Sequence, residues 1–521
     1  MSLHVDVSIR ILIFLCTLLF LKECHAQNCL NDKYRPQLHY SPAKNWLNDP
    51  NGLVYLAGEY HMFYQYYPDG TVWGPMHWGH AITSDLVHWE ELPIALYPNA
   101  LGDIFSGSAV VDFKNTSGLQ TGGDPPLILI FTQASGNTQL QSIAVSNDRG
   151  RSFGFYAGNP VLQNTDKTIN DFRDPKVFYM NDKWIMSLAV KNKIQMFSSN
   201  NLKNWTKLGE FGAVPLQGAH GGVWECPDLL SFTLDGLKLW VLLVSINPGG
   251  PNNGSATQYF IGTFDGRQFR KTGIYQNLWM DWGPDNYAGV TFSNEPKNRK
   301  LLIAWMNNWD YGQVLPTVAW RGQMTLPRVL DLQRIDGKPR LLSTPAVEVE
   351  SLRNLAQFYE TTRPLWIRSR HDFTNDLQFN NSLLEVDGVF DTQLTINDPS
   401  ATFSICFYNG LAEEVCVGYN FGTNNLFFDR SNSGDTSFYG NFGQISYANR
   451  ETRNKILQLK LYLDTSAIEI FADGGYTTMT GLFFPTQLLT GVRVKFSSGI
   501  AVNQLKILSM TIRGLKSIYN C

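Results

Sequence analysis

The stretch Asn45-Trp46-Leu47-Asn48-Asp49-Pro50-Asn51-Gly52 places one carboxylate, that of Asp49, between a tryptophan and a turn sequence, and a strand-like run follows it over residues 53–67. Asp-Pro and Asn-Gly are ordinary turn dipeptides, so this aspartate could do no more than cap a turn. Two other isolated acids also stand beside a proline: Asp174 in FRDPK (172–176) and Glu225 near Pro227 in WECPD (224–228). Three such acids in a chain with only 17% charged residues indicate a shared functional site.

The N-terminal segment has the pattern of an export signal. Arg10 precedes an apolar run at residues 11–21, and a small-residue site, Cys24-His25-Ala26, follows. This pattern predicts a signal peptide over residues 1–26. A run of 11 apolar residues is too short for a bilayer, which needs about 20, so a membrane anchor is the weaker alternative. We expect a secreted, extracellular protein with no membrane partner. Exposed glycan sites are predicted at four N-x-S/T sequons, Asn115, Asn204, Asn253 and Asn380.

Length and composition narrow the function further. A chain of 521 residues exceeds what one core usually holds, so two domains are expected. The net charge is −3, and without a basic excess the protein is not expected to bind nucleic acid. Aromatic residues make up 13% of the chain. Because aromatic rings stack on the C–H faces of sugar rings, this composition favours a carbohydrate ligand.

Five cysteines remain once Cys16 and Cys24 leave with the signal, and an odd number leaves at least one thiol free. Two of them, Cys406 and Cys416, flank the turn Asn409-Gly410 and could pair across a hairpin. Cys29 and Cys521 stand near the two ends of the chain and could form a second disulfide, which would leave Cys226 as a buried free thiol. The spacings do not fit a zinc site, so we expect no metal and no cofactor.

Two series of residues alternate along the first 345 residues, which otherwise consist of short strand-like runs. The first series is a polar turn leading to an aromatic residue, at positions 89, 153, 205 and 269. The second consists mainly of acids and also contains a serine, at positions 49, 106, 174, 225 and 285. Strict alternation is expected of a β-propeller whose inner strands carry the polar residue and whose outer strands follow the turn, although chance recurrence of common turn residues is an alternative.

About 310 residues at about 60 residues per repeat predict five blades, each with longer loops than the common repeats of about 40–50 residues. Inner strands of a propeller line one axial cavity. The side chains of Asp49, Asp174 and Glu225 are therefore predicted to converge there.

The motifs WLNDPNG (46–52), FSGS (105–108), FRDP (172–175) and ECP (225–227) resemble the signature set of glycoside hydrolase family 32. That family contains invertases and exo-acting inulinases and levanases. The resemblance extends over nearly the whole mature chain and includes YQY (64–66), Trp73, WGHA (78–81) and SAIEIF (466–471). It implies an all-β fold, a five-bladed β-propeller followed by a C-terminal β-sandwich, which agrees with the blade count.

The second domain is expected to begin after a hinge-like stretch that contains Gly337, Pro339 and Pro345. Alternating strand patterns such as residues 456–463, 468–471 and 505–512 then predict two sheets packed face to face. We therefore predict a catalytic propeller over residues 33–345 and a sandwich over residues 351–521. No trio of acids appears in the second domain, so a structural role or weak carbohydrate binding is expected there.

A retaining glycosidase needs a carboxylate nucleophile and a carboxylic acid about 5–5.5 Å apart. The resemblance implies that Asp49 is the nucleophile, that Glu225 is the acid/base, and that Asp174 stabilises the transition state. The nucleophile must be ionised, and the amide of Asn48 can donate to it. The acid must hold its proton, and an apolar flank formed by Trp224 and Cys226 would favour the neutral carboxyl.

The resemblance also implies the remaining contacts of a fructose pocket, which lie at Asn48, Gln65, Trp73, Phe105, Ser106, Arg173, Asp285 and Trp309. Asp285 matches an acid near the leaving group. Asn286 stands where an aromatic residue is usual, which puts the contacts of the leaving group in doubt, whereas Leu47 in place of the usual methionine is a conservative apolar change.

Three functions follow as hypotheses. The first is a secreted β-fructofuranosidase (invertase) that hydrolyses sucrose through a covalent fructosyl-enzyme. The second is an exo-fructanase acting on inulin or levan with the same catalytic residues. The third is a non-catalytic sugar-binding propeller, against which the three intact acids argue. An arabinanase-type propeller hydrolase would also have three acids, but not the Asn-Asp-Pro-Asn-Gly and Glu-Cys-Pro motifs.

Overall fold

A computed structural model describes residues 30, 32–214, 216–273 and 276–519. The predicted signal peptide and the proposed Cys29–Cys521 pair lie outside these residues. The described chain is almost entirely β-structure, with three short 3-10 helices at Gly312–Val314, Val347–Leu352 and Phe373–Asn375. Within these residues, no helix is long and apolar enough to cross a membrane.

Five antiparallel sheets follow one another along the first part of the chain and form the blades of a propeller. Blade 1 consists of β1 (Asn45–Leu56), β2 (Glu59–Tyr67), β3 (His77–Thr83) and β4 (Glu90–Leu96), and blade 2 of β5 (Asp103–Val111), β6 (Leu127–Ser135), β7 (Thr138–Ser146), β8 (Gly154–Phe155) and β9 (Leu162–Gln163). Blade 3 consists of β10 (Phe172–Met180), β11 (Lys183–Val190), β12 (Lys193–Ser199) and β13 (Thr206–Phe211). Blade 4 consists of β14 (Val223–Leu234), β15 (Leu237–Asn247), β16 (Ala256–Phe264), β17 (Phe269–Lys271) and β18 (Leu278–Trp279). Blade 5 contains β19 (Tyr287–Thr291) and β20 (Lys300–Trp305) and, after the excursion of β21 (Trp320–Arg321), β22 (Arg328–Ile335) and β23 (Lys338–Pro345).

The innermost strands, β1, β5, β10, β14 and β19, contact one another in a closed cycle around the axis. The short strand β21 leaves blade 5 and pairs in parallel with β1, with Asn45 opposite Trp320 and Trp46 opposite Arg321. This pairing ties the last blade to the first. The predicted five-bladed propeller is therefore confirmed.

The aromatic series has the position that the alternation predicts. Trp89, Phe153 and Trp205 each immediately precede an outer strand of blades 1–3, and Phe269 opens β17 of blade 4. All four are wholly or partly buried. Burial of a large ring at the same point of each blade explains why a turn followed by an aromatic residue recurs along the sequence.

Each innermost strand is interrupted by a β-bulge, where two residues have no opposite partner in the regular register. The shifts fall between residues 47 and 50, 104 and 107, 173 and 176, 225 and 228, and 287 and 290, and a second shift in β1 lies between residues 51 and 54. Within three of these bulges a non-glycine residue has a positive φ: Asp174 (64°), Cys226 (47°) and Ala288 (54°). A bulge turns side chains out of the regular alternation. The five bulges, one from each blade, lie at about the same height along the propeller axis.

The C-terminal part is a sandwich of two antiparallel sheets around one apolar core. One sheet contains β24 (Arg353–Glu360), β25 (Leu365–Ile367), β27 (Leu384–Asp391), β32 (Ile456–Leu463), β33 (Ala467–Ala472), β34 (Thr477–Leu482) and β36 (Leu505–Leu515). The other contains β26 (Arg370–Asp372), β28 (Thr402–Tyr408), β29 (Glu414–Asn420), β30 (Asn425–Asn432), β31 (Ser446–Asn449) and β35 (Gly491–Ser497). The predicted disulfide is present, because Cys406 and Cys416 stand directly opposite each other on β28 and β29.

Buried ion pairs join the sandwich to the propeller. Arg328, fully buried on β22, binds Asp281 of the propeller at 2.8 Å and Glu469 of the sandwich at 2.6 Å. Glu469 has a second partner, since its Oε1 lies 3.1 Å from Nε2 of His39. Burial opposes ionisation of Glu469, but Arg328 and His39 outweigh it and hold the pKa of this carboxyl below its usual value. The two sheets of the sandwich are thus held against the propeller by charges that have no access to water.

Removal of the central charge should destabilise the fold. In Arg328→Ala the carboxylates of Asp281 and Glu469 would stay buried without their guanidinium, which we expect to cost about 3–5 kcal/mol of unfolding free energy. The measurement is the urea midpoint of unfolding. Arg334→Ala is the matched control, because Arg334 pairs with Asp235 at an exposed site, where a loss of about 1 kcal/mol or less is expected. Equal midpoints for the two variants would contradict the role of Arg328.

Candidate active site

The bulges of blades 1, 3 and 4 bring three acids to one point on the axis. The thiol of Cys226 marks this point, since its Sγ lies 3.7 Å from Asp49 Oδ2 and 3.7 Å from Asp174 Oδ2. Glu225, the neighbour of Cys226, is close enough to raise the pKa of both aspartates through charge repulsion. The predicted convergence of the three acids is therefore what the structure shows.

Asp49 is held by donors on either side. Its Oδ1 accepts a hydrogen bond from Asn48 Nδ2 at 3.1 Å, and its Oδ2 accepts one from Ser106 Oγ at 2.9 Å. Trp46 Nε1 donates to Asn48 Oδ1 at 2.7 Å, which fixes the amide with its NH2 group towards Asp49. Burial and the charge of Glu225 raise the pKa of Asp49 to about 6, although the hydrogen bonds from Asn48, Ser106 and Cys226 act in the opposite direction.

Asp174 occupies the first bulge position of β10, where its backbone N–H donates to Thr132 Oγ1 at 3.0 Å. Its Oδ2 accepts from the backbone N–H of Cys226 at 3.0 Å. Burial raises its pKa to about 7 against the opposing charge of Arg173, and the charges of Glu225 and Asp49 add to the increase. The bulge thus turns this carboxyl towards the two acids of the other blades.

Glu225 has charged and polar partners instead of the apolar flank that we expected. Arg173 Nε and Nη2 both lie 2.9 Å from its Oε1, and the Tyr287 hydroxyl donates a short hydrogen bond to its Oε2. The side chain of Trp224 points to the opposite face of β14, where it packs between blades 3 and 4. The expectation of an apolar Trp224 flank was therefore wrong, because successive side chains of a strand alternate between its faces.

Arg173 was predicted to bind sugar beside Asp174, and the structure assigns it a further contact. Its guanidinium bridges Glu225 and Asp171, the latter at 2.5 Å from Nη1, and it remains 13% exposed. Its charge acts on two acids of the cluster, because it pairs with Glu225 and lowers the pKa of Asp174, so among the described residues it is the one cation that compensates the cluster directly.

Tyr287 is a site residue that the sequence reasoning missed. It precedes the bulge of β19 in the same way that Arg173 and Glu225 precede theirs, so these three are equivalent positions of successive blades. The regular spacing of the acids pointed instead to Asp285, two residues earlier. The bulge register, and not the spacing of acids, identifies the residue of blade 5.

Asp285 does not join the cluster. Its carboxylate is fully buried between the two domains, where it accepts hydrogen bonds from Tyr311 at 2.6 Å, Arg430 Nη1 at 2.8 Å and the backbone N–H of Leu482 at 2.8 Å. These donors leave no face for a sugar, so its predicted place near the leaving group was wrong. The adjacent Asn286 is also buried, with its amide 3.5 Å from Asp281.

Two residues of the predicted aromatic wall, Trp73 and Trp309, lie on loops, and the third, Phe105, lies on β5. Trp73, 42% exposed, meets the ring of Phe105 edge-on at 6.1 Å between centroids, and Phe105 is the neighbour of Ser106. Trp309 packs on Trp46 with ring centroids 6.0 Å apart. The predicted contact residue Gln65 is buried and donates to the backbone carbonyl of Ile104 at 3.0 Å. Gln65 thus has its amide nitrogen engaged by the protein itself.

The described residues offer one group of three potential metal ligands, Cys406, Glu414 and Cys416. Both sulfurs belong to the disulfide, so this group presents a single carboxylate. The free thiol of Cys226 is buried, as predicted, and burial together with the neighbouring carboxylates raises its pKa well above the usual value. It is therefore a neutral S–H at the centre of the acids.

Residues 39–345 match the glycosyl hydrolases family 32 N-terminal domain, and residues 348–513 match the glycosyl hydrolases family 32 C terminal. The chain belongs to glycoside hydrolase family 32. It is 41% identical to a levanase of Bacillus subtilis (strain 168) over 97% of this chain and 74% of that protein. It is 37% identical to an extracellular exo-inulinase of Aspergillus awamori over 89% of this chain and 92% of that protein.

Solved structures agree with this assignment. An exo-inulinase from Aspergillus awamori superposes with a TM-score of 0.85 at 35% identity, covering 94% of this chain and 99% of that one. A β-fructofuranosidase from Schwanniomyces occidentalis complexed with fructosyl-erythritol has a TM-score of 0.82 at 31% identity, with 93% of this chain and 98% of that one covered. The protein is thus a hydrolase of the family 32 fructosidases, with a propeller and a sandwich.

Loss of one donor to Asp49 should shift the acid limb of the pH profile. A nucleophilic carboxyl must be ionised, so kcat/KM should rise as the pH passes upward through a pKa of about 6. In Ser106→Ala the ionised form loses a hydrogen bond, so the pKa of Asp49 should rise and the limb should move to higher pH by about 0.5–1 unit.

The matched control is Ser108→Ala, whose hydroxyl bonds the backbone carbonyl of Pro175 and the N–H of Val177 instead of Asp49. We expect it to leave the position of the limb unchanged. An acid limb at the same pH in wild type and Ser106→Ala would show that Asp49 does not control it.

Proposed function

We propose that this protein hydrolyses terminal β-D-fructofuranosyl bonds with retention, through a covalent fructosyl-enzyme on Asp49. The observation that carries the proposal is the buried convergence of Asp49, Asp174 and Glu225 around the Cys226 thiol. Three carboxyls share one compensating guanidinium. Such a site can stabilise the positive charge that develops at an anomeric carbon and can also hold a proton for the leaving group.

In the first step, an Asp49 oxygen attacks the anomeric carbon while the glycosidic C–O bond breaks and Glu225 gives its proton to the leaving oxygen. In the second step, Glu225 takes a proton from water, whose oxygen attacks the same carbon and releases fructose from Asp49. Both displacements pass through an oxocarbenium-like centre. The donors Asn48 and Ser106 hold Asp49 in one orientation for the attack.

The partners of Glu225 support its assignment as acid/base. As the proton leaves Glu225, negative charge develops on its carboxyl, and Arg173 and the Tyr287 hydroxyl already point donors at both oxygens. Such donors stabilise the transition state more than the neutral acid, so they accelerate proton transfer. Burial and repulsion by the charge of Glu225 raise the pKa of both Asp49 and Asp174.

Asp174 is proposed to stabilise the transition state by binding ring hydroxyls of the fructosyl unit. Burial, together with the charges of Glu225 and Asp49, raises its pKa, which favours the protonated carboxyl that can donate as well as accept a hydrogen bond. Trp73, Phe105 and Trp309 supply apolar ring faces against which the C–H face of a furanose ring can pack.

For the substrate, we propose that the enzyme releases fructose from fructan chains as well as from sucrose. The levanase and exo-inulinase similarities support the fructan activity, and an invertase from Debaryomyces hansenii, 32% identical over 93% of this chain, supports sucrose.

We further propose secretion, a division into domains at residues 33–345 and 351–521, and glycans on the four exposed sequons. The exo-inulinases of Aspergillus that resemble this chain are extracellular by name.

Replacement of the acids tests the assigned roles. Glu225→Gln keeps the shape and one acceptor oxygen but cannot transfer a proton, so kcat on sucrose should fall by about 10³-fold. Asp49→Ala should lower kcat by several orders of magnitude, because no covalent intermediate can form. Steady-state fructose release is the measurement, with the urea midpoint as the control for folding. Near-normal turnover of sucrose by Glu225→Gln would remove it from the acid role.

One comparison of substrates tests the proposed specificity. Fructose release from sucrose, raffinose, inulin and levan is measured at equal enzyme. We expect release from all four, because the same acids act on any terminal fructofuranosyl unit. Release from sucrose and raffinose alone would restrict the enzyme to the invertase function, and no release from any of them would overturn the proposal.

A further inference from the structure

Two loops at the rim of the acid cluster are fastened to each other by one arginine. Arg321, the last residue of β21, donates through Nη1 to the backbone carbonyl of Thr71 at 2.9 Å and, by a short contact, to that of Gln313. Its Nη2 donates to the carbonyls of Leu315 at 2.8 Å and Thr317 at 3.1 Å. Because one nitrogen binds both Thr71 and Gln313, residues 68–76 and residues 306–319 approach each other at this point.

This arginine has no acidic partner. Among the described residues, no carboxylate lies within ion-pair distance of Arg321, and burial lowers its pKa. Four backbone carbonyls replace a counter-ion. Desolvation of a half-buried guanidinium carries a cost, and its use here to bind four loop carbonyls indicates that the shape of these loops matters.

The clamped loops present apolar side chains to solvent. The exposed fractions are 46% for Val72, 42% for Trp73, 48% for Val314 and 88% for Val318. Single exposed apolar residues are common. Here Val72, Val314 and Val318 each follow a residue whose carbonyl binds Arg321 (Thr71, Gln313 and Thr317), so the clamp gathers them around one guanidinium, and Trp73 follows Val72. We call these four residues the apolar rim.

The apolar rim adjoins the acid cluster through β1. Both loops bond to the first two residues of this strand: Asn45 N–H donates to Ala319 O at 2.8 Å, and Trp46 N–H donates to Gly70 O at 2.9 Å. Asp49 stands three residues further along the same strand. Trp73 also meets Phe105, the neighbour of Ser106, which donates to Asp49. A substrate that extends out of the pocket on this side therefore meets the apolar rim next.

We propose that the apolar rim binds the sugar units that follow the terminal fructosyl unit and thereby favours fructan chains over sucrose. The inference rests on the proposed fructosidase function. The four rim side chains carry no charge, which suits a neutral chain of sugar rings whose C–H faces pack on valine methyls and an indole. The clamp holds both loops in place before binding, so that little ordering is needed when a chain arrives. Arg321 is thus a positioning residue, and Val318 is a contact residue.

The decisive quantity is the ratio of kcat/KM on inulin to kcat/KM on sucrose. Val318→Ser removes the most exposed apolar contact without affecting any hydrogen bond, and the ratio should fall about fivefold. Arg321→Lys keeps the charge but cannot bond four carbonyls, so the ratio should fall at least as far, mainly through KM for inulin. Val502→Ser is the matched control, since Val502 is a 59% exposed valine of the sandwich, and its ratio should equal that of wild type.

A ratio that stays at the wild-type value in both Val318→Ser and Arg321→Lys, with fructose still released, would overturn the inference and leave the proposed function intact. If the wild type releases no fructose from any substrate, the proposed function fails instead. A binding measurement then still tests whether the apolar rim contacts the sugar chain. An inulin-type oligosaccharide is titrated by calorimetry into Asp49→Asn and into Asp49→Asn combined with Val318→Ser. Weaker binding by the double variant is expected, and equal affinities would exclude the apolar rim as a contact.

Discussion

The active site depends on the β-bulges of the innermost strands. A bulge interrupts the regular pleating of a strand, and this lets strands around one axis direct polar side chains at a single point. In this protein all five innermost strands make that departure at the same level. The bulges place Asp174 and the Cys226 backbone in the left-handed region, with φ values of 64° and 47°. Such conformations are costly for non-glycine residues and persist where the surrounding structure enforces them. The packing of five blades, closed by the pairing of β21 with β1, supplies that enforcement.

The protein has two buried clusters of carboxyls, in which pKa values are shifted in opposite directions. At the domain interface, Glu469 and Asp281 share Arg328, and the pKa of Glu469 is held below its usual value. On the axis, Asp49 and Asp174 are equally buried, but they repel Glu225 and each other, and their pKa values rise to about 6 and about 7. The first cluster has a cation for its acids and stabilises the assembly of two domains. The second has an excess of acid, which is unfavourable for folding but is what proton transfer and nucleophilic attack require.

The closure of the propeller also shapes the rim of the pocket. The segment that crosses from blade 5 to blade 1 carries β21, and therefore Arg321, to the side of β1 that leads into Asp49. The same crossing brings residues 306–319 against residues 68–76, although more than 230 residues separate them in the chain. The rim of the pocket is thus a product of how the propeller is closed, and its shape depends on one guanidinium that holds four carbonyls.

Much of the site followed from the sequence, and the errors have clear physical causes. The motifs around Asp49, Asp174 and Glu225 identified the acids, and the repeat interval of about 60 residues predicted five blades. Asp285 continued the series of acids and matched an acid that the family resemblance places near the leaving group, whereas the bulge register selects Tyr287. Spacing in the chain does not record a bulge, because the extra residue is visible only in the pairing with the neighbouring strand. Trp224 was misplaced for a different reason, since it precedes the bulge and regular alternation along β14 puts its side chain on the face opposite to that of Glu225.

By itself, the sequence determined the fold class, the pairing of Cys406 with Cys416 and the identity of the three acids. These depend on local patterns: short strands with turns between them, a hairpin with opposed cysteines, and motifs that each fit within a few residues. Only the tertiary structure decided that Arg173 and Tyr287 bond Glu225, that Asp285 belongs to the domain interface, and that Arg321 joins two distant loops. Each of these contacts crosses from one blade or domain to another, and its geometry is set by the register and closure of the sheets, which no local pattern of residues specifies.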